Sequence, residues 1–120
     1  MEKRFSERVY SNIKIDFYYD NGIYEATAKN LSKNGMYINT EKCPPSESDI
    51  VVSLNQGHNF FTLPGKVKRT VNANNLCGIG IELQNPSQSY YEFVSDFMNK
   101  YLPYRLKNWL ISLIKRSFPA

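Results

Sequence analysis

From Ile13 to Tyr19 the chain alternates strictly, with Ile13, Ile15, Phe17 and Tyr19 on one face and Lys14, Asp16 and Tyr18 on the other. A period of two belongs to a strand that turns one side to a core. Asp20-Asn21-Gly22 follows at once, and Asn and Gly tolerate the positive φ of a tight hairpin. Together they commit the chain to antiparallel pairing, with a return strand from Ile23 to Lys29. The same grammar then repeats. A polar turn, Asn30 to Gly35, leads into a short third strand, Met36 to Asn39, and a loop from Thr40 to Asp49 carries Pro44-Pro45. A fourth strand runs from Ile50 to Leu54. The fifth, Phe60 to Val71, is interrupted at Pro64-Gly65, where a bulge or corner is expected. After a turn at Asn72 to Asn75, a sixth strand runs from Leu76 to Leu83.

The pattern changes at Asn85-Pro86-Ser87. Ser87 suits a helix N-cap, and Tyr90 or Tyr91, Val94, Phe97, Met98 and Tyr101 recur at helical spacing. Pro103 is expected to break or kink this helix. A second helical stretch carries Leu106, Trp109, Leu110, Leu113 and Ile114 along one side. The predicted fold is therefore an all-β core, a small six-stranded antiparallel β-barrel, with a C-terminal helical appendage. Its expected organisation is a flexible N-terminal arm over residues 1–11, the barrel over 12–84 and a helical segment over 85–120.

Composition narrows the function. A chain of 120 residues fits one domain, and its 42% hydrophobic and 14% aromatic content is that of a folded protein. The net charge of +4 favours an anionic partner. Two cysteines, Cys43 and Cys77, without metal-ligand spacing, and a single histidine, His58, exclude the common zinc arrangements and disfavour a histidine-based triad. The carboxylates are scattered and no glycine-rich triphosphate loop is present, so the sequence reads as a receptor and not an enzyme, with no cofactor. No apolar leader or membrane-length stretch is evident, and the expectation is a cytoplasmic protein with free thiols.

Two short elements carry candidate binding chemistry. Arg4 and Arg8 stand four apart near the N-terminus. A guanidinium is flat, permanently charged and forked, able to grip phosphate or a guanine edge and to stack on a base. The second element is Asn30-Leu31-Ser32-Lys33-Asn34-Gly35. Asn30 can pair with a base edge, Ser32 can cap the turn or meet a phosphate, and Gly35 supplies positive φ or close backbone approach. Each element alone is also what solvated termini and ordinary turns are made of.

In combination, Arg-x-x-x-Arg, a gap of 21 residues and then Asn-x-Ser-x-x-Gly resemble the two-part signature of the PilZ domain family. Gly65-Lys66-Val67-Lys68-Arg69 and Gly78-Ile79-Gly80-Ile81-Glu82-Leu83 are similar to that family's closing strands. The resemblance covers roughly residues 3–84 and extends to the trailing helix. It implies a six-stranded PilZ-like barrel that binds cyclic di-GMP, a bacterial second messenger, with Arg4 and Arg8 on phosphates and guanine edges. Asn30 would pair with a guanine, and Ser32 and Gly35 would shape the adjacent contacts. Lys3, just before the first arginine, would contribute and influence whether one ligand or an intercalated pair binds. Asn30 is within the permitted pattern but lacks the charge of Asp.

The implied protein is a single-domain receptor that closes its arginine arm over the nucleotide and relays the signal to an unidentified protein effector. Motility, exopolysaccharide synthesis and surface attachment (biofilm) are the outputs the resemblance suggests. Two other readings are a PilZ-like scaffold that uses no nucleotide and a small barrel that binds single-stranded nucleic acid, the latter disfavoured. The stripe on Leu102 to Phe118 is read first as a helix packed on the barrel or on a second copy, as in a homodimer. Membrane contact is the less favoured alternative.

Overall fold

The computed structural model describes residues 9–101, with side chains described for residues 10–97. Six strands and one helix follow in order: β1 (Val9–Tyr19), β2 (Gly22–Leu31), β3 (Gly35–Thr40), β4 (Asp49–Gln56), β5 (Asn59–Ala73), β6 (Leu76–Leu83) and α1 (Gln88–Tyr101). Every pairing is antiparallel, and the strands close in the order β1-β2-β3-β6-β5-β4. Closure leaves no open sheet edge. The predicted six-stranded barrel with a C-terminal helix is therefore the fold.

The turns follow from local chemistry. Asp20 and Asn21 take φ of 49° and 65°, which lets Tyr19 face Gly22 across a two-residue hairpin. Asn74 and Asn75 repeat the device at 52° and 66° between β5 and β6, and Gly57 at 63° serves β4 and β5. The expected alternation fills the interior: Phe17, Ile38, Val52, Leu54, Val67 and Ile79 are fully buried. Ser87 caps α1 as predicted, its Oγ accepting the Tyr90 N–H at 3.1 Å. From α1, Tyr90, Phe93 and Val94 enter the core against Phe61, whose ring lies 5.6 Å from Tyr90 and 5.3 Å from Phe93. Tyr91 faces solvent, so Tyr90 is the tyrosine on the buried face.

Several boundaries differ from the sequence reading. β1 begins at Val9, so residues 9–11, expected to belong to the arm, lie in the strand: Val9 and Tyr10 pair with Leu31 and Asn30 of β2, and the Ser11 hydroxyl donates to the Ala28 carbonyl. A register shift between Tyr10 and Ile13 breaks the alternation there, which hides the strand from a period-two reading. Pro64-Gly65 does not interrupt β5. Gly65 and Lys66 pair on both sides, with Ile50 and Asp49 of β4 and with Leu83 and Glu82 of β6, so the strand passes from one neighbour to the other at this corner. The bulge comes slightly later, between Val67 and Arg69.

The expected free thiols are not found. Cys43, in the loop after β3, and Cys77, in β6, are joined in a disulfide with sulfurs 2.08 Å apart. Topology brings them together across 34 residues, a relation that sequence spacing does not reveal. The inference of a reducing compartment thereby loses its premise. Pro103 and the second helical stretch lie outside the described residues.

A thiol titration of the chain unfolded without reductant should find no free thiol. Closure of a 34-residue loop also predicts that reduction lowers unfolding stability by about 2–4 kcal/mol. Two titratable thiols in the unreduced protein would contradict the pairing.

Candidate functional site

The end of the barrel covered by α1 is also where β2 turns into β3. Asn30 and Leu31 are the last residues of β2 and Gly35 is the first of β3, so the turn proper is Ser32-Lys33-Asn34, shorter than the sequence reading. The Ser32 N–H and the Ser32 hydroxyl both donate to the Gly35 carbonyl, at 2.9 and 3.2 Å. The Leu83 N–H donates to the Asn34 carbonyl at 2.8 Å, tying the turn to β6. Ser32 is buried and its hydroxyl caps its own turn.

Gly35 acts through close approach. It is not among the residues of positive φ, and a Cβ on it would run into the backbone carbonyl oxygen of Ile81. Only glycine lets β3 lie this near β6 where the turn closes.

Asn30 owes its orientation to a bulge. Ala26 and Ala28 point into the core, and a regular strand would send residue 30 after them. The β2–β3 register shifts between Ala28 and Asn30, Leu31 takes the inward place, and Asn30 is turned out of the core. Its Oδ1 is fully shielded yet has no hydrogen-bond partner, alone among the buried side-chain polar atoms of the described residues. Such an atom carries the desolvation penalty of an unmade hydrogen bond, roughly 1–3 kcal/mol, until a donor reaches it.

From α1, the buried Tyr90 hydroxyl donates to the Ser32 carbonyl at 3.2 Å. Burial raises the Tyr90 hydroxyl pKa well above its ordinary value. Beside it, the Lys33 ammonium sits 4.9 Å from the centre of the Tyr91 ring, a cation–π contact between turn and helix. The turn is thus held from the barrel on one side and from the helix on the other.

Of the sequence-predicted residues, Asn30, Ser32 and Gly35 are brought together, Asn30 turned outward and the other two building the frame. Lys3, Arg4 and Arg8 lie outside the described residues. Tyr10, opposite Asn30 and 87% exposed, was missed because the bulge conceals its strand. Tyr90 could have been found only as one of two candidate tyrosines on the helical stripe. A depression of about 810 Å³ lies on the outer face toward the opposite end, lined by Ile23, Tyr24, Lys42, Phe60 and Leu76 among others. No buried unpartnered polar atom lines it, so the Asn30 end is the better candidate site.

A family model described as PilZ domain matches residues 2–99. No curated protein matches the chain. Among solved structures, the PilZ domain of YcgR from Escherichia coli with c-di-GMP is similar at 14% identity and a TM-score of 0.62, over 81% of this chain and 89% of that one. PlzA of Borreliella burgdorferi in complex with c-di-GMP aligns at 16% identity and 0.64, over 80% of this chain and 41% of that one. The Bacillus subtilis inhibitor of motility, MotI/DgrA, aligns at 10% and 0.65, over 83% and 51%. The chain therefore spans about two-fifths to half the length of the last two proteins. At these identities the likeness is one of fold.

Two substitutions test the frame. Gly35→Ala should lower stability by about 1–3 kcal/mol, because the new methyl meets backbone that cannot swing aside. Tyr90→Phe should cost about 1–2 kcal/mol at neutral pH by leaving the Ser32 carbonyl unpaired. The pH dependence has a definite sign. The folded state holds the Tyr90 proton beyond the ordinary value of 10.0, so its contribution is complete below that pH and declines as pH rises above it. Tyr90→Phe should reduce that alkaline loss, as chemical denaturation between pH 8 and pH 11 would reveal.

Proposed function

Because this chain belongs to the PilZ domain family, we propose that it is a receptor for cyclic di-GMP, with Asn30 as its guanine-edge reader and Arg4 and Arg8 as its phosphate and base clamp. The observation that carries this reading is the shielded, unpartnered Oδ1 of Asn30, turned out of the core by a bulge beside a doubly hydrogen-bonded turn. A guanine presents N–H donors on its Watson–Crick edge, and one of them would satisfy that atom. Two of the structures compared hold c-di-GMP in the same fold, which supports the choice of nucleotide.

The pairing Val9↔Leu31 supports the role of the arginines. Arg8 precedes Val9 in the sequence, and so is within chain reach of the turn that follows Leu31. In this reading Lys3, Arg4 and Arg8 close over a ligand already seated against Asn30. Ordering such a segment costs roughly 1–2 kcal/mol of backbone entropy per residue, so closure and ligand binding are coupled. Ser32 and Gly35 contribute through the frame, and the closed arm would offer a new surface to a protein effector.

Calorimetric titration with cyclic di-GMP, beside GTP and a single-stranded oligonucleotide, tests the reading. The wild-type chain should bind cyclic di-GMP preferentially. Arg4→Ala and Arg8→Ala should each remove a charge-assisted contact of roughly 1.5–3 kcal/mol, one to two decades in affinity. Asn30→Ala should weaken binding about tenfold. Absence of heat with cyclic di-GMP would contradict the assignment and favour a scaffold. Tighter, steeply salt-dependent oligonucleotide binding would favour the nucleic-acid reading.

A further inference from the structure

We infer that the ligand site extends beyond the two motifs along a row of side chains crossing five strands, with Tyr10 and Arg69 as flat groups on which the purine rings stack. The inference rests on the cyclic di-GMP reading above. Four register pairs define the row: Tyr10↔Asn30, Asn30↔Tyr37, Tyr37↔Gly80 and Gly80↔Arg69. Residues directly opposed in antiparallel strands project to the same face, so the row lies across the outer surface of β1, β2, β3, β6 and β5 with Asn30 inside it.

The three register shifts recorded among the described strands all abut this row. One follows Tyr10, one precedes Asn30 and one precedes Arg69. Bulges re-aim side chains and gather beside binding sites, and here each sets the orientation of a row member. Two glycines then keep the surface low. A Cβ on Gly80 would sit 3.2 Å from Cγ and 3.4 Å from Nε of Arg69, so the arginine side chain lies down over the glycine. A Cβ on Gly78 would collide with the Tyr37 hydroxyl, so that ring lies flat in the same manner.

The chemistry of the row suits a ligand of flat rings and negative charge. Tyr10 is 87% exposed and offers an aromatic face, and Tyr37 is half-buried next to Asn30. Arg69 is exposed and forms no salt bridge with a carboxylate among the described residues. A guanidinium lying on a sheet presents a planar cationic face to a base. Adjacent strands are about 4.8 Å apart, and Arg69 leans back over β6, so the flat groups span about three strand spacings. That elongated floor fits a ligand with two ring systems better than a mononucleotide.

Cyclic di-GMP titrated into the full chain and its variants tests the inference. Tyr10→Ala and Arg69→Ala should each weaken binding about tenfold, in the range for loss of a base-stacking group. Tyr10→Phe should bind like wild type because the ring remains, whereas Arg69→Lys should lose nearly as much as Arg69→Ala because an ammonium cannot stack. Both side chains are exposed, so the ligand-free melting temperatures should match wild type, which separates a binding role from a structural one. Alanine variants within twofold of wild type would overturn the inference and leave the cyclic di-GMP reading standing. Loss in Tyr10→Phe equal to that in Tyr10→Ala would also overturn stacking. A wild-type chain that does not bind cyclic di-GMP would remove both.

Discussion

One buried hydrogen bond, from the Tyr90 hydroxyl to the Ser32 carbonyl, links the elements on which the proposed site depends. The turn it reaches has only three residues between strands, and its geometry is already constrained by two donors on the Gly35 carbonyl. Adding a contact from α1 makes the end of the barrel and the turn a single body. The helix can reach that far because Ser87 caps its first turn and because Phe61 and Phe93 hold Tyr90 in the core. A hydroxyl so placed stays protonated and keeps donating across the physiological range.

In the proposed site, the hydrogen bonds that brace the turn let the barrel present a reader group on its outer wall. Outward side chains on a sheet are ordinarily solvated and mobile. Asn30 is instead bent out of the regular pattern by a bulge and shielded where it lands, so its Oδ1 awaits a donor in fixed geometry. Glycines shape the surroundings by subtraction. Gly35 admits the backbone of β6, and Gly78 and Gly80 let Tyr37 and Arg69 lie against the sheet. In the proposed mechanism the frame built by Ser32 and Gly35 stays in place, and a local movement at Asn30 opens its shielded Oδ1 to the ligand donor.

Much of the fold could be read directly from the sequence because its signals are local. Alternation from Ile13 and the Asp20-Asn21-Gly22 turn act within a few residues, and such signals gave the number and order of the strands, with boundaries off by a few residues. The motif from Asn30 to Gly35 was likewise visible. What escaped depends on contacts that sequence distance conceals. The bulge after Tyr10 erased the period-two signal that would have exposed the start of β1. The Cys43–Cys77 pair is created by barrel closure. Tyr37 and Arg69 join Asn30 only through registers involving three different strand pairs. Counting by twos from Gly35 would have put Tyr37 on the outer face, but nothing local names Arg69.

The central claim is that the ligand lies across the Asn30 end of the outer wall and not in the depression near Ile23, Lys42 and Leu76. Nuclear magnetic resonance titration of isotope-labelled chain with cyclic di-GMP tests this most directly. The largest shifts are expected at Tyr10, Tyr37, Gly80, the backbone from Asn30 to Gly35 and the Asn30 side-chain amide, with Ile23, Lys42 and Leu76 unmoved. Shifts centred on Ile23, Lys42 and Leu76, with the Asn30 amide unchanged, would contradict it.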